Sequence, residues 1–205
     1  MGLYRKYIFP YILDLSLSGY TIGQYRQAVL AACQGQVLEI GFGTGLNLSH
    51  YPKHIHKITT IDSNSSMPRW AQPRLDQTTI EVAQHILSAE KLPFPDSSFD
   101  TVVSTWTLCS IADVGQALQE VRRVLKPAGQ MLFIEHGLSS DAEVVRWQHR
   151  LNPLQQIVGD GCQLNRNISG LISQAGLNIL HLKNFYIPQF PRPFGYMYQG
   201  IATKA

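Results

Sequence analysis

The sequence has little charge and few cysteines, and both shortages restrict what the protein can be. Charged residues make up 15% of the 205 positions, and the formal net charge of +3 comes without a long basic run. This balance does not favour a nucleic-acid partner. The three cysteines, Cys33, Cys109 and Cys162, are widely spaced, without a CxxC motif or a Cys/His cluster. We therefore predict neither a disulfide framework nor a metal site, and expect a cytoplasmic protein.

Long apolar runs are also missing, which bears on the first 20 residues. This segment, MGLYRKYIFPYILDLSLSGY, places basic residues before apolar ones, as a signal peptide does. Pro10 and Asp14 interrupt its apolar part, and no stretch approaches the roughly 20 apolar residues of a membrane span. We predict neither a secretory signal nor a membrane-spanning helix here.

The same segment has the spacing of a short amphipathic helix. Its apolar side chains recur at helical intervals, at Tyr4, Ile8, Ile12 and Leu15. Such a stripe usually packs on its own domain, so we favour a helix that covers a pocket. The alternative is peripheral membrane contact through residues 1–20, with Arg5 and Lys6 facing lipid headgroups.

The rest of the chain alternates short β-rich runs with helical patterns, which is typical of a parallel sheet covered by helices. The clearest helix is predicted at 113–129, and another is expected directly after the first strand. Residues 141–168 have no clear pattern. We predict an α/β fold in which a seven-stranded, mostly parallel sheet has helices on both faces and an antiparallel C-terminal strand pair. The predicted strands cover about 36–40, 57–62, 84–89, 100–106, 130–136, 178–187 and 194–205.

The first strand ends in an unusual way, with the sequence VLEIGFGTG at residues 37–45. A glycine-rich turn after a strand lets backbone N–H groups approach a ligand without a side chain in the way. Dinucleotide sites use the pattern GxGxxG, but here Leu46 occupies the last position. Glu39 would also oppose a pyrophosphate, and it suits a ligand that carries a positive charge.

A second carboxylate follows at the end of the next strand. Asp62 has the position of an acid that accepts hydrogen bonds from both hydroxyls of a ribose. Taken alone, Asp62 could equally cap the following helix. A carboxylate for a ribose and another for a cation together indicate S-adenosylmethionine (SAM) as the ligand.

At this point the chain resembles a known family. The segments LEIGFGTG, TTID, SAEKLPFPDSSFDTVVSTWTL and ALQEVRRVLKPAGQMLFIEH occur in the order found in class I SAM-dependent methyltransferases. The resemblance covers about residues 36–136 and is greatest to the methyltransferase type 11 group, which includes the ubiquinone/menaquinone methyltransferases. It implies a Rossmann-like fold, SAM as cofactor and methyl transfer as the reaction.

A narrower resemblance follows in the second half. LCS at 108–110, EH at 135–136 and GDGCQLNR at 159–166 are similar to the methyltransferase-like alkyl-thiol S-methyltransferases. Members of that group in animals are associated with membranes, but residues 1–35 do not match their long apolar anchor. This resemblance implies a thiol as methyl acceptor.

The resemblance also implies roles for individual residues. Glu39 and the glycine turn would hold the methionine part of SAM, and Asp62 would bind the ribose. Ser88, Ala89 and Glu90 stand where the family often has Asp-Ala-Glu against the adenine, and Glu90 alone could be a solvated loop charge. The predicted cofactor-binding residues are Glu39, Gly41, Gly43, Gly45, Asp62, Ser63, Met67, Ser88, Ala89, Glu90 and Thr105.

Two residues are predicted to act in catalysis. A thiol must lose its proton before it accepts a methyl group, which calls for a base close to the acceptor. His136, at the end of the fifth strand, is the first candidate and Asp160 is the second, although they could also be a packing residue and a turn residue. Cys109 and Cys162 are interpreted as buried packing, because direct methyl transfer needs no enzyme nucleophile.

These inferences combine into one hypothesis. The chain is expected to be a single domain over 1–205, with a lid or membrane-contact segment at 1–35, a cofactor-binding core at 36–136 and an acceptor side at 137–205. The predicted reaction is methyl transfer from SAM to a small, fairly apolar acceptor, with a thiol preferred. The alternatives are methylation of a quinone precursor or lipid headgroup at a membrane, and a SAM-binding protein without catalysis.

Overall fold

A seven-stranded sheet forms the centre of the computed structural model, which describes residues 2–204. The strands, numbered along the chain, are β1 Val37–Ile40, β2 Lys57–Asp62, β3 Glu81–Ile86, β4 Phe99–Thr105, β5 Leu125–His136, β6 Leu177–Tyr186 and β7 Tyr196–Lys204. Their order is β3-β2-β1-β4-β5-β7-β6, and β7 runs antiparallel to both of its neighbours. The fold class predicted from the sequence is confirmed.

Helices cover both faces of this sheet. Alternate residues of β5 point to opposite sides, with Met131 and Phe133 in one apolar cluster and Leu132 and Ile134 in the other. A π-helical turn, Tyr4–Ile8, leads into the first α-helix. The α-helices are α1 Phe9–Leu17, α2 Tyr20–Leu30, α3 Met67–Leu75, α4 Val114–Val124, α5 Ala142–Val158, α6 Ile168–Gln174 and α7 Arg192–Gly195. Among the helices between residues 2 and 204, none combines the length and apolar character needed to cross a bilayer.

Three local predictions were wrong. The helix expected directly after the glycine turn is reduced to a single 3-10 turn, Leu48–His50. The residues on either side of this turn, Asn47 and Tyr51, point inward and donate hydrogen bonds to Glu39. The third strand lies at 81–86 rather than 84–89: its last residue pairs with Asp62, so the chain beyond it leaves the sheet. Helix α4 ends at Val124 instead of residue 129, and residues 125–129 belong to β5.

Helix α5 lies in the region where the sequence has no clear pattern, and its two faces are inverted relative to an ordinary surface helix. Its buried residues are Val144 and two amides, Gln148 and Asn152. Its exposed face carries large apolar side chains, namely Trp147, Leu154, Ile157 and Val158. A reading that seeks an apolar inner stripe therefore misses the helix.

Hydrogen bonds take the place of that stripe. The fully buried Gln148 accepts from the backbone N–H of Ser139 at 2.9 Å and donates to the carbonyl oxygens of Gly137 and Pro193. Asn152 accepts from the Leu164 N–H at 2.8 Å. The Gln148 bonds hold α5 against the loop after β5 and against α7, and the Asn152 bond ties α5 to the segment that follows it.

We expect Gln148→Leu to lower the free energy of unfolding by about 3 kcal/mol, because it leaves several buried backbone groups without partners. Chemical denaturation measures this loss. The matched control is Gln156→Leu on the exposed side of the same helix, which should change stability by less than about 0.5 kcal/mol. Equal stability of the two variants would show that the amide bonds do not hold the helix in place.

Candidate active site

A cavity of about 340 Å³ opens at the carboxyl ends of the parallel strands. It lies where the strand order reverses, between β1 and β4, which is the usual place for a ligand in an open α/β sheet. The π-helical turn and α1, together called the N-terminal helix, cover it with Arg5, Phe9, Leu13 and Leu17. Of the predicted cofactor-binding residues, those that line this cavity are Glu39, Gly41, Gly43, Asp62, Ser63, Met67, Ser88, Ala89, Glu90 and Thr105.

The glycine turn has the backbone that its sequence requires. Gly41 has φ of +74°, and a Cβ there would overlap the side chain of Thr107, so no other residue fits. Gly43, with φ of +57°, donates its N–H to the Asp62 carboxylate at 2.8 Å. Gly45 is not among the residues that line the cavity, and it packs against Leu48 and Phe42 beneath the turn.

Glu39 is almost completely buried at the inner end of the cavity. Its carboxylate accepts hydrogen bonds from Asn47 Nδ2 at 2.9 Å and from the Tyr51 hydroxyl at 2.7 Å. Burial raises the pKa of Glu39 to about 7, although both of these donors oppose the shift. A cation bound in the cavity would favour the charged carboxylate.

Arg26 on α2 is a residue of this cavity that sequence reasoning missed. Its guanidinium donates to Asn47 at 2.8 Å and to Thr105 at 3.1 Å, and it lies over the Trp106 ring. Its Nε is buried without a hydrogen-bond partner among the described residues. Burial lowers the pKa of Arg26 to about 10, so the group stays charged at neutral pH. No local pattern marks a lone arginine whose partners are distant in sequence.

Asp62, at the end of β2, also lines the cavity. Besides the Gly43 amide it accepts from the Asn64 N–H at 2.8 Å, so both carboxylate oxygens are oriented by backbone groups. Burial raises the pKa of Asp62, and these two amides oppose that shift. Each oxygen keeps a further lone pair with which to accept from a ligand hydroxyl.

The loop after β3 contributes the polar residues predicted to face an adenine. Ser88 donates its hydroxyl to Glu90 at 3.0 Å, and Glu90 also accepts from the Asp113 N–H at 2.7 Å. Glu90 therefore ties this loop to the start of α4 as well as lining the cavity. Thr105 accepts from Arg26 and from Asn47 at the end of β4, so it connects that strand to the glycine turn.

A second cavity, of about 360 Å³, adjoins the first. The two cavities share the lining residues Phe9, Leu13, Leu17, Trp106 and Ser110. The lining of the second is mostly apolar, with side chains from the N-terminal helix, from the end of α5 and from the loop before β7. It includes Ile12, Ile22, Val158, Leu164, Ile187, Phe190, Phe194 and Met197.

Three polar residues lie together at the wall of this second cavity. They are Cys109, His136 and Cys162, all buried, and one ring nitrogen of the histidine lies 2.9 Å from the Cys162 sulfur. The Cys109 thiol and His136 both lower the pKa of Cys162, although burial opposes this. Burial lowers the pKa of His136, but the charge and hydrogen bond of Cys162 together with the charge of Glu135 outweigh burial, so the pKa is raised.

The second predicted base, Asp160, is placed differently. It lines the first cavity, where Arg5 Nε lies 2.7 Å from its carboxylate. Asp160 has φ of +50° and Gly161 follows with +94°, so the two form the tight turn after α5. This ion pair joins the N-terminal helix to the opposite rim of the cavity.

Glu135, the residue before His136, is a further buried acid that sequence reasoning did not select. Its carboxylate accepts from the Ser104 hydroxyl at 2.6 Å and from the N–H groups of Thr107 and Leu108. Burial raises its pKa to about 7, against these donors. It fixes the loop after β4, which carries Trp106 to the junction of the two cavities and Cys109 to the wall of the second.

Comparison with known proteins supports the same interpretation. The family model described as "Methyltransferase domain" matches residues 38–133. The thiol S-methyltransferase TMT1B of Rattus norvegicus is 34% identical over 173 residues, which cover 82% of this chain and 70% of that protein. The ubiquinone/menaquinone biosynthesis C-methyltransferase UbiE of Laribacter hongkongensis is 40% identical over 103 residues, covering 49% of this chain and 42% of that protein.

Solved structures agree on the fold. A SAM-dependent methyltransferase from Methanosarcina mazei superimposes with a TM-score of 0.63 at 21% identity, covering 82% of this chain and 92% of that one. At this identity the structural likeness concerns the fold alone, whereas the relatives found by sequence also identify the family. With its reversed strand order and its cavity beyond the glycine turn, the chain belongs to the SAM-dependent methyltransferases, and its cofactor is SAM.

Proposed function

We propose that the protein transfers the methyl group of SAM to the sulfur of a small apolar thiol. The observation that carries this proposal is the apolar cavity beside the cofactor cavity, with Cys109, His136 and Cys162 in its wall. The 34% identity to a thiol S-methyltransferase supports the same acceptor class. The cavity suits a small apolar acceptor, and the polar cluster is a means of removing the proton from a thiol.

The residues of the first cavity fit SAM in charge. The methionine part of SAM carries an ammonium and a carboxylate, and the buried Glu39 and Arg26 supply one charge of each sign. The Nε of Arg26 is buried without a partner among the described residues, so this guanidinium has a donor that the protein does not use. Asp62 accepts from the ribose hydroxyls, while Ser63, Met67, Ser88 and Ala89 line the space for the adenosine.

Methyl transfer requires little of the protein beyond alignment and a dry acceptor. SAM supplies a methyl group already activated by the positive sulfur. Trp106 and Ser110 lie at the junction of the two cavities, so an acceptor in the second meets the cofactor in the first there. The apolar side chains around the acceptor exclude water, which leaves the sulfur nucleophile unsolvated.

His136 remains the first candidate for deprotonating the acceptor. It lines the acceptor cavity, and its Nδ1 has no hydrogen-bond partner within residues 2–204. Asp160 remains the second candidate, but its carboxylate is paired with Arg5 and lines the cofactor cavity instead. We therefore assign His136 to promoting loss of the acceptor proton, and Asp160 to holding the N-terminal helix.

Replacing Asp62 by Ala should weaken SAM binding by about tenfold to a hundredfold, because a ribose hydroxyl would lose a charged acceptor. Isothermal titration calorimetry measures the change. Asp76→Ala, at an exposed aspartate after α3, is the matched control and should bind SAM normally. Unchanged affinity in a folded Asp62→Ala protein would contradict the ribose assignment.

Thiols should be preferred over alcohols, phenols and amines of similar shape, with kcat/KM at least about tenfold higher. Formation of S-adenosylhomocysteine over a panel of acceptors measures this preference. If SAM binds but no acceptor in the panel reacts, the protein is a SAM-binding protein without catalysis.

His136→Ala should lower kcat/KM for thiols by about a hundredfold or more while SAM affinity stays the same. The exposed His149, on α5, provides the control variant His149→Ala, for which we expect normal turnover. Normal thiol methylation by His136→Ala would remove His136 from the proposal.

We also propose that the protein takes lipophilic acceptors at a membrane surface, in peripheral contact from the cytoplasm. Part of the stripe predicted on the N-terminal helix faces outward, since Ile8 is 50% and Leu15 is 68% exposed, and Ile157 on α5 is 74% exposed. Both helices border the acceptor cavity. Exposed cations lie on the same two segments, at Lys6, Arg146 and Arg150. Apolar side chains beside cations suit a bilayer with anionic headgroups.

The double variant Leu15→Asp/Ile157→Asp should reduce binding to vesicles of phosphatidylcholine and phosphatidylglycerol, measured by flotation, by about tenfold or more. Leu180→Asp is the control, because Leu180 is 53% exposed on β6, the edge strand at the β7 side of the sheet. Equal flotation of all three proteins, or none by the wild type, would reject the membrane proposal and leave the thiol proposal intact.

A further inference from the structure

The group Cys109, His136 and Cys162 comes from three separate parts of the chain. Cys109 follows β4, His136 ends β5, and Cys162 follows the turn after α5. Their three ligand atoms lie within 4.8 Å of one another, and all three residues are buried. Nothing in their spacing along the sequence marks them as a group, so the cluster becomes visible in the fold.

The surrounding backbone holds the two cysteines firmly. The Gln163 N–H donates to the Cys109 carbonyl oxygen at 2.9 Å, so the two cysteine loops are bonded to each other. The Cys162 N–H donates to Gly159 at 3.1 Å, which closes the turn after α5. A site assembled from bonded loops loses little further freedom when it binds a ligand.

Packing alone does not account for the group. The third cysteine, Cys33, is buried in an apolar cluster with Leu30 and Val37, as an ordinary core thiol is. Cys109 and Cys162 instead lie beside His136, whose Nε2 is 2.9 Å from the Cys162 sulfur. Two thiols and an imidazole whose ligand atoms converge at a cavity wall form a donor set that an apolar core does not need.

The three side chains match the donor set of a catalytic zinc site. Such sites use three protein ligands, including the combination of two cysteines and one histidine, and keep a fourth position open. Zinc–sulfur bonds of about 2.3 Å in a tetrahedron place the sulfurs about 3.8 Å apart. The ligand atoms, all within 4.8 Å, would need to move by about 1 Å or less to reach that arrangement.

We propose that Cys109, His136 and Cys162 bind a zinc ion whose open fourth position faces the acceptor cavity. The role of this ion rests on the proposed function: it takes the acceptor thiol as a thiolate. His136 is then a metal ligand, and the metal rather than the imidazole promotes loss of the acceptor proton.

The bonds and electron pairs of this methyl transfer can be followed step by step. The acceptor S–H bond breaks, its proton leaves to solvent, and the sulfur binds the metal. A sulfur electron pair then forms the bond to the methyl carbon, and the bond from that carbon to the sulfonium breaks, with its electrons remaining on the departing sulfur. The products are a methyl thioether, a weak ligand that leaves the metal, and S-adenosylhomocysteine.

The charges around the cluster are compatible with this role. Two cysteine thiolates neutralise a divalent ion, so an acceptor thiolate would add one negative charge. Arg166 is buried nearby, where it donates to the carbonyl oxygens of Leu108 and Ile111, and it interacts favourably with both cysteines. Glu135 is the opposing acid, but its carboxylate is already bound by the loop after β4.

The test measures metal directly, on tag-free protein purified under reducing conditions. Elemental analysis after gel filtration should find about one zinc per chain. Cobalt added to metal-stripped protein should give the visible bands of tetrahedral cobalt and a thiolate-to-cobalt charge-transfer band. Cys109→Ser and Cys162→Ser should each lose zinc by about tenfold or more, whereas Cys33→Ala should retain it and all three should bind SAM normally.

The outcomes separate the two proposals. No zinc and no cobalt spectrum in the wild type would overturn the metal site, without requiring any variant to fold. If such a metal-free protein still methylates thiols, the thiol proposal stands and the zinc proposal fails. If zinc binds and thiols are not methylated, the site stands but its role in activating the acceptor is wrong.

Discussion

The cofactor cavity depends on one buried carboxylate. Glu39 is almost completely removed from water, so its charge must be met by donors from the protein or from a ligand. Asn47 and Tyr51 meet it from the segment after β1, and Asn47 also donates to Thr105 at the end of β4. The same amide accepts from Arg26. One acid thus connects the glycine turn, the neighbouring strand and the buried cation where the strand order reverses.

A polar cavity and an apolar cavity meet at one strained residue. Trp106 lies at their junction, with φ of +53°, a value that a bulky side chain rarely adopts. Its backbone N–H donates to Ile134, and its ring faces the Arg26 guanidinium. Glu135 fixes the loop that begins there. This strained residue therefore forms part of the wall of both the polar, charged cavity and the apolar one.

The fold and the cofactor cavity could be predicted from the sequence where the signal is local. Glu39 and Asp62 stand at the ends of recognisable strands, so their positions follow from strand periodicity and the glycine turn. Arg26 could not be found this way, because its partners come from distant segments. Helix α5 was missed because amides fill its inner face. The cysteine and histidine group depends on three loops meeting, which no spacing along the chain encodes.

The N-terminal helix couples the two cavities. Phe9, Leu13 and Leu17 line both cavities, and the pair of Arg5 with Asp160 fastens this helix to the far rim. A partly exposed ion pair of this kind contributes about 1 kcal/mol or less, and salt weakens it. The same helix is also held by Asp14, which pairs with Arg74 and accepts from the Thr44 hydroxyl. Because its side chains line both cavities, any displacement that uncovers one cavity uncovers the other. Solvent access to the two cavities is therefore coupled through this one helix.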